Sequence, residues 1–133
     1  FTKGEGYGRP LAEFATTGKP IIVSNWSGFT DFLPKEHTLY LDGELQNIDA
    51  SASNKFLLKE AKWFYVNYSK AAQVLYKTYD KYTDALKQSA GLKTNINNNF
   101  TLDKMSSKLG EILDKYVKVT QKIEMKLPTI NKL

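Results

Sequence analysis

The sequence predicts an α/β fold: the latter part of a sheet domain, followed by helices. Three observations predict it. Residues 9–24 read as a helix that ends at a glycine and leads into a short, wholly apolar strand. Residues 37–41, HTLYL, read as a second short strand. From Asn54 onward, apolar residues recur every three or four positions, the period of a helix. The order helix, strand, helix, strand is that of an α/β chain. Two strands of this kind demand sheet neighbours, and few are offered by 133 residues. The expectation is half of a domain: a sheet-bearing segment 1–53 and a helical segment 54–133 of the same domain.

Each element has its own signal. In residues 9–17, RPLAEFATT, Pro10 fits a first helical turn, where its missing N–H costs nothing. Leu11, Phe14 and Ala15 share one face, and Gly18 suits the position just past a helix end. Ile21, Ile22 and Val23 are bounded by Pro20 and by Ser24 and Asn25. Such a run suits a parallel strand buried on both faces. Ser27 and Gly28 form a turn, GFTDFL starts a short helix, and residues 42–54 read as a polar loop. The stripe Leu57, Ala61, Phe64, Tyr68, Ala72, Leu75, Tyr79, Tyr82 and Leu86 predicts helices over 54–66 and 70–89. Ser69 caps the second and Gly91 ends it. LKTNINNN reads as a loop. Thr101 caps a last helix, with Asp103 in its first turn and Phe100 and Met105 at the staple positions. Its stripe runs through Met105, Leu109, Ile112, Tyr116, Val119 and Ile123, and Pro128 stops it.

Composition narrows the chemistry. Cysteine is absent and His37 is the only histidine, which speaks against thiolate metal sites, a zinc centre or a histidine-based triad. No metal or cofactor is expected. No apolar run reaches the roughly 18 residues of a membrane span, and no signal peptide is visible, so a cytoplasmic protein is expected. Residues 1–53 carry four basic and seven acidic side chains, residues 54–133 fifteen and seven. The basic half reads as a solvated lysine surface rather than a nucleic-acid grip, because Arg9 is the only arginine.

The chemically distinctive stretch is GEGYGRPLAEFATTGKPIIVSN, residues 4–25. Gly4, Gly6 and Gly8 leave backbone N–H groups open to close approach and lead into a helix N-terminus, which suits an anion or a hydroxyl-rich ligand. The spacing is not that of the dinucleotide fingerprint or the P-loop. Glu5 and Glu13 are hydrogen-bond acceptors, better matched to sugar hydroxyls than to phosphate. Trp26 follows the buried strand, where a flat ligand could stack on it.

This stretch resembles the E-x7-E signature of retaining GT-B glycosyltransferases of glycosyltransferase group 1, family 4. The likeness runs without a gap from Glu5 to Asp31. It includes Gly6, Gly8, Pro10, Glu13, Ala15, Gly18, Pro20, Ser24 and Gly28. Ser27 departs from it, standing where the family often has the first glycine of a pair, and Asp31 replaces the usual glutamate. The segment MSSKLGEILDKYV is similar to the final helix of such enzymes. The resemblance implies the second half of a Rossmann-like GT-B C-terminal domain followed by C-terminal helices. It implies a retaining hexosyltransferase using a UDP- or GDP-type sugar donor and an unidentified acceptor. Glu5 is then the catalytic-site carboxylate on the donor-sugar hydroxyls, with Gly6, Tyr7 and Gly8 against the sugar. Glu13 takes the nucleotide ribose, beside Arg9, Pro10 and Leu11. An acceptor domain is expected upstream, and without it these residues are expected to be inactive alone. The alternative is a catalytically silent glycosyltransferase-like module used for assembly or partner binding.

Overall fold

The computed structural model describes residues 1–117, and the expectations for Val119, Ile123 and Pro128 lie outside them. The fold is mixed α and β with two small sheets. In chain order it comprises α1 (Arg9–Ala15), β1 (Ile22–Ser24), β2 (Leu39–Leu41), β3 (Gly43–Asn47), β4 (Lys62–Val66), α2 (Tyr68–Asp80), α3 (Tyr82–Asn99) and α4 (Leu102–Tyr116), with short 3-10 turns at Gly28–Asp31, Lys35–His37 and Ala50–Ala52. The chain divides into a unit Phe1–Thr101 and a second unit that begins at Leu102 with α4.

Strand β1 pairs with β2 in parallel, Val23 opposite Tyr40, as the apolar run predicts. Alternation then sends side chains to two separate cores. Ile21 and Val23 join Ala15, Phe29, Phe32, Leu33, Leu92 and Ile96, with Tyr40 and Phe100 at the margin. Leu41 joins Phe64, Val66 and Ala71 on the other side, with Ile22 packed against them. The short parallel pair is therefore covered on both faces, one by α1 and α3, the other by β4 and α2.

Several expectations are corrected. Residues 54–66 hold no helix: residues 62–66 are strand β4, antiparallel to β3, with Leu45 opposite Phe64. The run KWFYV is aromatic and β-branched, and Phe64 and Val66 are buried in alternation while Lys62 is exposed. The helical spacing of Leu57, Ala61 and Phe64 is coincidental. Residues 43–47, expected in a loop, form β3, exposed along its whole length. Its polar side chains carry no burial signal, and the strand exists through its pairing.

The second helix also differs. Asn67, not Ser69, caps α2, its side chain accepting from the Lys70 amide at 3.0 Å. The helix breaks at Lys81, and α3 runs on through Gly91 and the asparagine-rich segment. The stripe through Leu75, Tyr79, Tyr82 and Leu86 faces outward, with Tyr79 85% exposed. The inward stripe is Ala71 on α2 and Ala85, Ser89, Leu92 and Ile96 on α3. Ala71 packs against Leu41, Phe64 and Val66. At Gly91 the neighbour is a side chain: a Cβ there would lie 2.1 Å from Nε2 of His37, so the glycine makes room for the imidazole. His37 is thereby placed as a packing residue, its Nδ1 bonded to the Gln88 carbonyl at 2.8 Å.

Helix α1 is shorter than expected, ending at Ala15, and Gly18 takes the left-handed φ of +69° anticipated for a residue past a helix end. Phe14 is not on the buried face. It is 44% exposed, and Leu11, Ala12 and Ala15 pack inward instead.

Tyr40 donates its hydroxyl to the Leu33 carbonyl at 2.8 Å, tying β2 to the segment after the Gly28–Asp31 turn. Its phenol is pushed up from 10.0 to about 12, first by burial and then by the Asp31 carboxylate. A raised value means the folded chain holds this proton more tightly than the unfolded chain does. Its stabilising contribution is fully present below the ordinary value of 10.0 and is lost as pH rises through about 12. We expect phenolate absorbance to show one tyrosine titrating late, and Asp31→Asn to bring that transition to lower pH. A titration unchanged by Asp31→Asn would remove the carboxylate from the explanation.

Candidate functional site

The glycine loop of residues 4–8 is fastened to the turn that follows β1. The Gly28 amide donates to the Glu5 carbonyl at 3.1 Å. The Glu5 amide donates to Ser27 Oγ at 2.7 Å, and that hydroxyl in turn bonds the Glu5 carbonyl. The two backbones touch: a Cβ on Gly28 would sit 1.5 Å from the Gly6 carbonyl oxygen. Nearby, the chain ahead of the loop is also held, as Ser24 Oγ donates to the Thr2 carbonyl at 3.1 Å and the Phe64 amide to the Lys3 carbonyl at 3.1 Å.

Ser27 has φ 86° and ψ −171°, a region comfortable for glycine alone. It is the one non-glycine with positive φ among the described residues. Its hydroxyl bonds to both backbone groups of Glu5 offset that strain. The sequence marks Ser27 as a turn residue and as a departure from a glycine. Its role as the fastener of the loop was not legible, because a serine in a turn has many possible partners.

Within the loop, Gly6 and Tyr7 are exposed while Gly8 is buried under Phe29. Gly8 has φ +81° and starts α1, its carbonyl accepting from the amides of Leu11 and Ala12. Tyr7 lies on Phe32, ring centroids 4.7 Å apart. The Glu5 carboxylate bends back onto the Gly6 amide at 3.0 Å. The charge of Glu13 is shared with Arg9, Nε to Oε1 3.2 Å, in an exposed pair one helical turn apart. Such a pair is worth about 0.3–0.5 kcal/mol, so it leaves the carboxylate available to a ligand. Pro10 is exposed in the first turn and Leu11 is turned towards the core. The seven residues of α1 make a weaker helix end than the sequence led us to expect, so anion binding there has little support.

Beside the loop lies an open cleft of about 570 Å³, lined by Asn25, Trp26, Ser27, Gly28, Thr30, Asp31 and Lys35. It sits past the carboxyl end of β1, the side on which open α/β sheets receive ligands. Trp26 is 40% exposed, and one face of its indole is stacked on Phe64, centroids 6.1 Å apart and planes 5° from parallel. The structure thus gathers Glu5, Gly6, Trp26, Ser27 and Gly28 at one rim. Thr30, Asp31 and Lys35 join the cleft without having been singled out by the sequence as ligand contacts. Their position after a buried strand was the one available signal.

No group of three or more His, Asp or Glu side chains is gathered as for a metal among the described residues, and no helix there is long and apolar enough to cross a membrane. No family model, curated protein or solved structure matches the chain.

Proposed function

We propose that this chain is part of a retaining GT-B glycosyltransferase and contributes one wall of its nucleotide-sugar site. In this reading β1 and β2 are late strands of a Rossmann-like domain whose remaining strands, with the acceptor domain, belong to the rest of the protein. The observation that carries it is the fastening of the Glu5 loop onto Ser27 and Gly28 at the carboxyl end of a parallel strand. That brings the first glutamate of the E-x7-E pattern to the edge where such sheets bind ligands. Ser27 adds support: the position where the resemblance calls for glycine has a backbone conformation that favours glycine.

The chemistry follows from the side chains. Glu5 accepts hydrogen bonds from the hydroxyls of the donor sugar, and the exposed Gly6 backbone admits the sugar closely. Glu13 accepts from the ribose hydroxyls, exchanging part of its contact with Arg9. The free face of Trp26 stacks on a flat or sugar ring entering the cleft.

The test is calorimetric titration of the complete glycosyltransferase with UDP-sugars and GDP-sugars, together with Glu13→Ala and Gly6→Ala. Loss of a hydrogen bond to a charged group costs about 1.5–3 kcal/mol, so Glu13→Ala is expected to weaken binding roughly 10- to 150-fold. The fold survives, because the Arg9 pair is exposed. At Gly6 an added Cβ meets nothing within 4 Å, so Gly6→Ala is expected to fold normally and to bind the sugar donor more weakly than free nucleotide. Unchanged binding in both variants would exclude the reading.

A further inference from the structure

The cleft after β1 holds two opposite charges that are not paired with each other. Asp31 and Lys35 line it, both exposed, and neither joins an ion pair among the described residues. Around them the lining mixes donors and acceptors. Thr30 gives its hydroxyl proton to the Ser27 carbonyl at 2.8 Å and keeps its oxygen as an acceptor. The Asn25 side chain offers both kinds of group. Trp26 supplies an apolar face, 40% exposed and backed by Phe64. The turn that carries these residues holds Ser27 at φ 86°, and strain of that kind gathers at ligand sites.

The set fits one kind of ligand. A free anion meets Asp31 as well as Lys35, so one charge repels what the other attracts. An apolar ligand strands both charges without water. A metal ion finds too few ligands, since Asp31 is the one carboxylate among the described residues that line the cleft. A neutral ring with hydroxyls on its edge and C–H groups on its face satisfies every part. Its hydroxyls donate to Asp31 and accept from Lys35, and its C–H face lies on the indole. The Glu5 loop is fastened to this rim through Ser27 and Gly28, whereas Glu13 stands on α1 and does not line the cleft. Resting on the nucleotide-sugar reading, we propose that the cleft receives the hexose of the donor. Trp26 lies under the ring, Asp31 and Lys35 hold the hydroxyls that Glu5 does not take, and together they select a neutral hexose.

The test is calorimetric titration of the complete protein with UDP, GDP, UDP-glucose, UDP-galactose, GDP-mannose and UDP-glucuronate. Asp31→Asn and Lys35→Met are each expected to weaken the neutral nucleotide sugar that binds best by roughly tenfold, and to leave its free nucleotide unchanged. Trp26→Ala should act in the same way, by about three- to tenfold. Trp26→Phe keeps a ring on Phe64 and should recover part of that loss. Equal weakening of nucleotide and nucleotide sugar, or no change in either, would overturn the proposal; the donor reading would stand if Glu13→Ala still weakens both. Tighter binding of UDP-glucuronate than of every neutral nucleotide sugar would also overturn it. If the wild-type protein binds none of the six, the donor reading fails and this proposal with it.

Discussion

Phe32→Ala is expected to destabilise the unit Phe1–Thr101 by roughly 3–5 kcal/mol, the usual cost of truncating a buried phenylalanine. Phe32 is 1% exposed and is shared by several elements. Its ring meets Phe100 at the end of α3, centroids 6.0 Å apart, and Tyr7 in the glycine loop at 4.7 Å. Its carbonyl accepts from Asn95 of α3 at 2.8 Å. Removal of the ring leaves a cavity between α3 and the turn after β1, and takes away the floor beneath Tyr7. Against the 5–15 kcal/mol typical of a whole domain, this is a large fraction. Urea unfolding should show the loss as a lower midpoint, with Phe32→Leu restoring part of it. A midpoint shifted by less than about 1 kcal/mol would mean that this core collapses around the gap.

Gly28→Ala is expected to be the most damaging change at the candidate site. The added Cβ would meet the Gly6 carbonyl oxygen at 1.5 Å and its carbon at 2.6 Å. Both are backbone atoms, so no rotamer change relieves the clash. The loop must leave the turn, and the bonds among Ser27, Gly28 and Glu5 open together. The stability cost of such overpacking is about 1–3 kcal/mol. If the proposed nucleotide-sugar reading holds, the functional effect is expected to be larger: displacement of Glu5 should remove donor binding by the complete protein. Gly6→Ala is the internal control, since it alters the same loop without a clash. Amide hydrogen exchange across residues 4–8 provides the readout. Faster exchange in Gly28→Ala, but not in Gly6→Ala, is the expected result, and equal rates would show that the fastening carries little weight.

Residues 9–41 were read nearly correctly because their signals are local. Pro10 and Gly18 punctuate α1, and the continuous run Ile21, Ile22, Val23 reports burial on both faces. After Asp42 the local signals mislead: at β4 a coincidental helical spacing hides a strand-favouring run, and at β3 and in α3 local preference and packing disagree. Strand β3 is polar and exposed, and only pairing with β4 makes it a strand. The segment LKTNINNN carries poor helix formers, yet Leu92 and Ile96 fill the core and hold it helical. On α2 and α3 the large aromatic residues Tyr79 and Tyr82 are exposed, whereas the small residues Ala71, Ala85 and Ser89 are buried.

The sequence by itself determined the strand–turn geometry around Gly18 to Gly28, the order and spacing of the E-x7-E residues, and the helix that begins after Thr101. Each of these depends on backbone freedom or on periodicity within one stretch of chain. Only the tertiary structure decided that the Glu5 loop is fastened by Ser27 and Gly28, that Trp26 rests one face on Phe64, and that His37 is held by Gln88 and Gly91. Those contacts join residues 22, 38, 51 and 54 positions apart. At such separations the partner is chosen by which surfaces the folded cores bring together, and no local preference of the chain encodes that choice.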